Sequence, residues 1–147
     1  MMTSEKSTPH NRLDYKQLNT PAKIREMQWD MGSVKNVCDQ YAAEICAYAP
    51  EDFIDNKEIQ LGIIGRLNSL MLIERILRYE ELPQCSEMVD FILDTYNCLR
   101  DFIKPIFKSG AISRIYKIML THDCTAQEAS DILYNKHNKS NNLTDQS

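Results

Sequence analysis

The chain has 147 residues, 43% of them hydrophobic and 26% charged, with a net charge of −4. That length suits one domain that buries a core without disulfide or metal staples, and the composition is that of an ordinary globular protein. Four glycines and five prolines are too few for an all-β fold, which needs a turn every ~8–12 residues.

Residues 1–19 are polar and charged, with neither a helical nor a strand period. They are expected to form a disordered or loosely docked arm. They lack the apolar core of a secretory signal. The five cysteines, Cys38, Cys46, Cys85, Cys98 and Cys124, are odd in number and contain no CxxC pair. Free thiols in a reducing cytoplasm are the expectation.

A single helical-bundle domain is expected over 20–137. Its first helix starts at Thr20-Pro21, with threonine as cap and proline in the first turn. Apolar or half-apolar residues follow at Ile24, Met27, Met31, Val34, Cys38, Tyr41, Ile45 and Tyr48. Their alternating spacings of three and four make a heptad seam. Gly32-Ser33 lies inside it and predicts a kink or a restart at Ser33. Pro50 ends it. With Ile24 at position a, Trp29 falls at f, opposite the seam. There it is either a contact anchor for a partner or a landing place for Leu13, Tyr15 or Leu18 of the arm.

The second helix is expected over about 56–82, with Asp55 and Glu58 at capping-box spacing and Pro83 as the stop. Leu70, Met71, Leu72 and Ile73 are consecutive. At about 100° per residue they circle the helix, which no single apolar stripe accommodates. The helix must be covered on more than one side, so it is either the central helix of the bundle or is covered by a second copy or a partner. Arg66, Glu74, Arg75 and Arg78 interrupt it, so it is no membrane span, which needs about 20 mostly apolar residues. Gly62-Ile63-Ile64-Gly65 has the GXXG spacing of a KH-domain RNA loop. Its inner residues are isoleucines and no strand pattern flanks it, so close helix packing along Gly62, Gly65 or Arg66, and Ser69 is the preferred account. No Lys-Ser/Thr follows to make a P-loop.

The third helix begins near Ser86 with a second seam: Cys85, Val89, Ile92, Tyr96, Leu99, Ile103 and Ile106. Pro105 should end or kink it. Glu87, Asp90, Asp94 and Asp101 line its polar side and, with Glu51, Asp52 and Asp55, offer an acidic surface. A fourth helix, Ala111 to about Leu120, places Ile112, Ile115, Tyr116 and Met119 inward. After the turn THDC, Thr125 and Glu128 form a capping box for a fifth helix running to about Lys136. Residues 138–147 read as a disordered tail.

Charge is uneven. Residues 51–103 carry eleven acidic and five basic side chains, whereas 104–147 carry six basic and four acidic ones. Lys104, Lys108, Arg114 and Lys117 form a basic cluster, and 112–137 has the outline of a helix-turn-helix. The first exposed residues of its last helix would be Gln127, Glu128 and Asp131, and carboxylates repel phosphates. The histidines, His10, His122 and His137, have no ExxH or CxxC partner, so no metal or cofactor site is expected. A Cys–His nucleophile pair would have to join His122 to one of the cysteines, with Cys38 and Cys85 buried in the seams and inert.

The fold expected is therefore all-α, an antiparallel helical bundle of four to five helices around the hydrophobic helix at about 56–82. The leading function is a non-catalytic protein–protein interaction module, acting as a regulator, inhibitor or adaptor and forming a homodimer. Its partner-binding residues would be Trp29, Leu70, Met71, Leu72, Ile73, Glu87, Asp90 and Asp94. The less favoured reading is a nucleic-acid-associated regulator using Lys104, Lys108, Arg114 and Lys117. The third is an enzyme or ligand-binding bundle, although no catalytic residue is identified.

Overall fold

Residues 17–80, 83, 85–104 and 110–135 are described in this computed structural model of the protein. They are all-α, with seven helices, five of them substantial, and no strand among the described residues. The helices are α1 (Pro21–Arg25), α2 (Met31–Cys46), α3 (Pro50–Phe53), α4 (Lys57–Glu80), α5 (Cys85–Ile103), α6 (Ala111–His122) and α7 (126–135). None is long and apolar enough to cross a membrane.

The first heptad stretch is two helices, with the restart expected at Ser33 falling two residues earlier, at Met31. α1 starts as expected, with Thr20 Oγ1 accepting from the Lys23 backbone N–H and proline in the first turn. It stops after five residues. α2 restarts at Met31, capped by Asp30, whose carboxylate accepts from the Ser33 N–H at 2.8 Å while the Asp30 N–H donates to Ser33 Oγ. The Ser33 N–H and hydroxyl hold the Asp30 carboxyl below its ordinary pKa. The cap, together with the short α1, turns the chain between two helices whose apolar residues still face one core. Ile24, Val34, Cys38, Tyr41 and Ile45 are all buried.

α4 packs against α5 most extensively and also touches α1, α2, α3 and α6. That explains why it is apolar all round. Leu61, Ile63, Ile64, Leu67, Leu70, Leu72, Ile73 and Leu77 are buried within this one chain. The expected cap pair Asp55 and Glu58 is replaced by Asn56, whose Oδ1 accepts from the Ile59 N–H at 3.0 Å. α5 packs on both α4 and α2. Its seam runs through Cys85, Ile92, Leu99 and Ile103, joined by Met88. The kink expected at Pro105 and the apolar position Ile106 lie outside the described residues.

The end of the arm belongs to the core. Leu18 is fully buried, and its carbonyl accepts from Ser69 Oγ on α4 at 2.6 Å. Ser69 is small enough to let a neighbouring backbone approach, so the arm expected to end at residue 19 is docked at least from Leu18. At the opposite end of the sequence the THDC turn is tied to α1. Asp123, in the left-handed region at φ 52, accepts from the Ala22 N–H at 2.8 Å through Oδ1. Gly110 supplies the other left-handed position, φ 95, at the entry to α6, where a side chain would be strained. α7 is capped as expected, by reciprocal bonds between Thr125 and Glu128.

Candidate functional site

The first glycine of the α4 pair, Gly62, makes room for a side chain of its own helix. A Cβ on Gly62 would lie 3.2 Å from Arg66 Nη1. Arg66 folds back to the Gly62 carbonyl at 2.9 Å and pairs with Glu44 of α2 at 2.7 Å. Gly62 thus allows a clamp between α4 and α2, and Gly65 is buried. Neither glycine lies in an exposed loop.

The expected partner-binding residues divide into three groups. Leu70 and Ile73 are fully buried and Leu72 is 1% exposed, so this face closes against the chain's own elements. That corrects their assignment to a partner surface, and the second chain invoked to cover them is not needed for that purpose. Met71 is half-buried. Trp29 is not at a helical f position, because it lies in the break between α1 and α2. It packs against the core, half-buried, and its indole N–H donates to the Ile24 carbonyl at 3.1 Å. The ring therefore closes the end of α1. Leu13 and Tyr15, expected to cover it, lie outside the described residues. Glu87, Asp90 and Asp94 are all exposed on α5. Of the basic cluster, Lys104, Arg114 and Lys117 are exposed, and Lys108 lies outside the described residues.

Two of the thiols, Cys38 and Cys124, are shifted in the wrong direction for a nucleophile. Burial raises the Cys38 thiol to about 11, against a smaller opposing hydrogen bond from Thr95. Burial, with Glu128 and Asp123 nearby, also raises Cys124. The Cys85 thiol donates to the Leu77 carbonyl. A reactive cysteine needs a depressed pKa. Cys46 and Cys98 are exposed. Among the described residues no three His, Cys, Asp or Glu side chains gather as a metal site would require.

Two concave regions sit on either side of the C-terminal half of α4. The larger, about 570 Å³, is a groove between α1, α4 and α6. Pro21, Leu72, Ile76 and Leu120 give it an apolar floor, and Arg25, Arg75, Tyr79 and Glu80 stand around it. Tyr79 is 72% exposed, and the Arg75 guanidinium lies over its ring at 5.2 Å from the centroid. The smaller, about 270 Å³, is a half-open cavity between α4, α5 and α6, lined by Met71 and Ile112 as well as by Glu74, Arg78, Tyr96, Arg100 and Tyr116. Glu74 is buried and held by Arg78 through two contacts, Nε to Oε2 at 2.6 Å and Nη2 to Oε1 at 3.2 Å. Burial raises the phenol pKa of Tyr96 and of Tyr116, so both stay protonated donors.

Neither region was singled out from sequence. Each joins residues from three elements far apart in the chain, and no spacing rule links Arg25, Tyr79 and Leu120. One signal was present: Arg75 and Tyr79 are four apart near the end of an otherwise buried helix, a pair able to stack on one face. No family model, curated protein or solved structure matches the chain.

Proposed function

We propose that the protein is a non-catalytic interaction module, an antiparallel helical bundle built around α4, that binds a segment of another protein in the groove between α1, α4 and α6. The segment would be apolar on the side facing Leu72, Ile76 and Leu120 and acidic at its edge. The observation that carries the reading is Tyr79, an aromatic side chain 72% exposed beside that groove with the Arg75 guanidinium stacked on it. Tyrosine and arginine dominate interface hot spots, and a short amphipathic helix in an apolar groove is a recurrent mode of recognition. Arg25 and Arg75 outnumber Glu80 around the groove, which favours an acidic partner. All five cysteines are free, in keeping with work in a reducing compartment such as the cytoplasm.

The test is selection of binding peptides from a random display library on the full chain, followed by anisotropy titration of the enriched sequences. Acidic, amphipathic peptides are expected. Tyr79→Ala and Arg75→Glu should each weaken them by about 30-fold or more, the size of a hot-spot loss. Enrichment of basic peptides, or equal binding to both variants, refutes the assignment.

A further inference from the structure

The groove between α1, α4 and α6 has two arginines in its lining, and the fold engages only one of them. Arg75, on α4, has its guanidinium 5.2 Å from the centroid of the Tyr79 ring. Its charge also lies near enough to the Tyr116 phenol to oppose the rise in pKa that burial causes there. A guanidinium stacked in this way is part of the wall. A carboxylate that drew it off the ring would give up the cation–π contact.

Arg25 stands on the α1 wall, as the last residue of that helix, and is exposed. Its side chain makes no ion pair, hydrogen bond or ring contact among the described residues. Glu80, the carboxylate at the groove, is on α4 and forms no ion pair with it. The backbone beneath Arg25 is nevertheless fixed. Ile24 is fully buried and its carbonyl accepts from the Trp29 indole at 3.1 Å, while the Ala22 N–H donates to Asp123 Oδ1 at 2.8 Å. A free guanidinium on a fixed rim offers its planar fork to a carboxylate without breaking a contact of the fold.

Resting on the reading of this groove as a peptide site, we infer that Arg25 is its specificity-determining residue. It pairs with one carboxylate on the edge of the bound helix turned toward α1, and so selects an acidic partner. Arg75 instead keeps the Tyr79 ring in place for the ligand's apolar face. α6 contributes only Leu120 to the lining, so the partner's carboxylate belongs on the α1 edge. An arginine–carboxylate pair at such a rim is worth about three- to fivefold in affinity.

The probes are the tightest peptide from the display selection and copies of it in which one glutamate or aspartate at a time is made glutamine or asparagine. Each is titrated by anisotropy against the full chain. On the wild type, neutralising one acidic position should cost about three- to fivefold. On Arg25→Gln, that copy and its parent should bind within about 1.5-fold of each other, because the cycle removes both partners of one pair. Arg75→Gln should weaken both peptides and keep their ratio. Arg25→Gln changes an exposed side chain, so its circular dichroism should match the wild type. A ratio that persists in Arg25→Gln, or that collapses in Arg75→Gln, overturns the assignment while the groove stands. So does equal binding of every neutralised copy to the wild type. Failure of the selection to yield any peptide sensitive to Tyr79→Ala overturns the groove reading itself, and the assignment with it.

Discussion

Replacing Leu70 by alanine separates a core face of α4 from a partner-binding one. Leu70 is fully buried in the isolated chain. The substitution removes three carbons, about 2.4 kcal/mol of transfer free energy at roughly 0.8 kcal/mol per methylene. A cavity term adds to this, because packed neighbours relax only in part, and measured Leu→Ala losses run from about 2.7 to 5 kcal/mol. We expect about 3–4 kcal/mol, a large share of the ~5–15 kcal/mol that holds a domain folded. The corresponding fall in Tm is about 6–16 °C for a chain of this size. Urea denaturation followed by far-ultraviolet circular dichroism reads the loss, with an unchanged slope showing that the same surface is exposed. The wild-type Tm should also be independent of protein concentration, since no second copy is needed to cover α4. A Leu70→Ala loss below about 1 kcal/mol, or a Tm that climbs with concentration, would falsify the closure of α4 within one chain.

Trp29→Phe deletes the indole donor to the Ile24 carbonyl and leaves a smaller ring against the core, so at least about 1 kcal/mol should be lost in urea denaturation, and an unchanged midpoint would show that the bond does not stabilise the α1 terminus. The triple reversal Glu87→Lys, Asp90→Lys, Asp94→Lys alters only exposed positions of α5, and should leave peptide binding at the groove within about twofold. A larger loss would move the binding surface to α5. Cys38 gives a pH dependence: its folded pKa, about 11, lies above the unfolded 9.0, so the unfolded chain loses its proton first. Stability from this thiol is complete below pH 9 and declines between pH 9 and 11 by up to about 2–3 kcal/mol. Cys38→Ala should flatten that alkaline limb, whatever it costs at neutral pH. In a disulfide-exchange assay on the native protein, Cys46 and Cys98 should react rapidly, and Cys38, Cys85 and Cys124 only on the timescale of unfolding.

Much of the fold was legible because burial leaves a periodic trace. The spacing of Val34, Cys38, Tyr41 and Ile45 marks the buried face of α2, and Ile92, Leu99 and Ile103 do the same for α5. The break before Met31 left no periodic trace, since Met27 and Met31 keep the heptad spacing while the backbone turns between them, and Gly32-Ser33 marked it only to within two residues. Its local signal was Asp30 followed three residues later by Ser33, a capping box with serine where glutamate or glutamine is usual. Leu18 was hidden for a related reason: one apolar residue in a polar arm has no period, and its burial depends on Ser69 across the fold. The candidate surfaces were the least legible part. Four consecutive apolar residues in α4 required cover on more than one side without showing whether this chain or another supplies it, and helices on several sides of α4 supply it. Only the three-dimensional arrangement brings Arg25, Tyr79 and Leu120 to one groove, or Asn68, Arg100 and Tyr116 to one cavity.

The course of α4 explains why both regions lie toward its C-terminal end. From Ile63 to Glu74 almost every residue is buried, and the few that are not fully covered, such as Arg66 and Met71, are at least half-buried. Over its last turn the helix leaves that enclosure: Arg78, Tyr79 and Glu80 are exposed, while Leu77 still anchors the turn in the core. A helix held this firmly at one end presents its final side chains with little freedom to rearrange, and such preorganisation reduces the entropy lost on binding. Tyr79 and Arg75 face α1 on one side, and Glu74 and Arg78 face α5 and α6 on the other. The Arg75 charge also lies near enough to the Tyr116 phenol to oppose the rise in its pKa that burial causes.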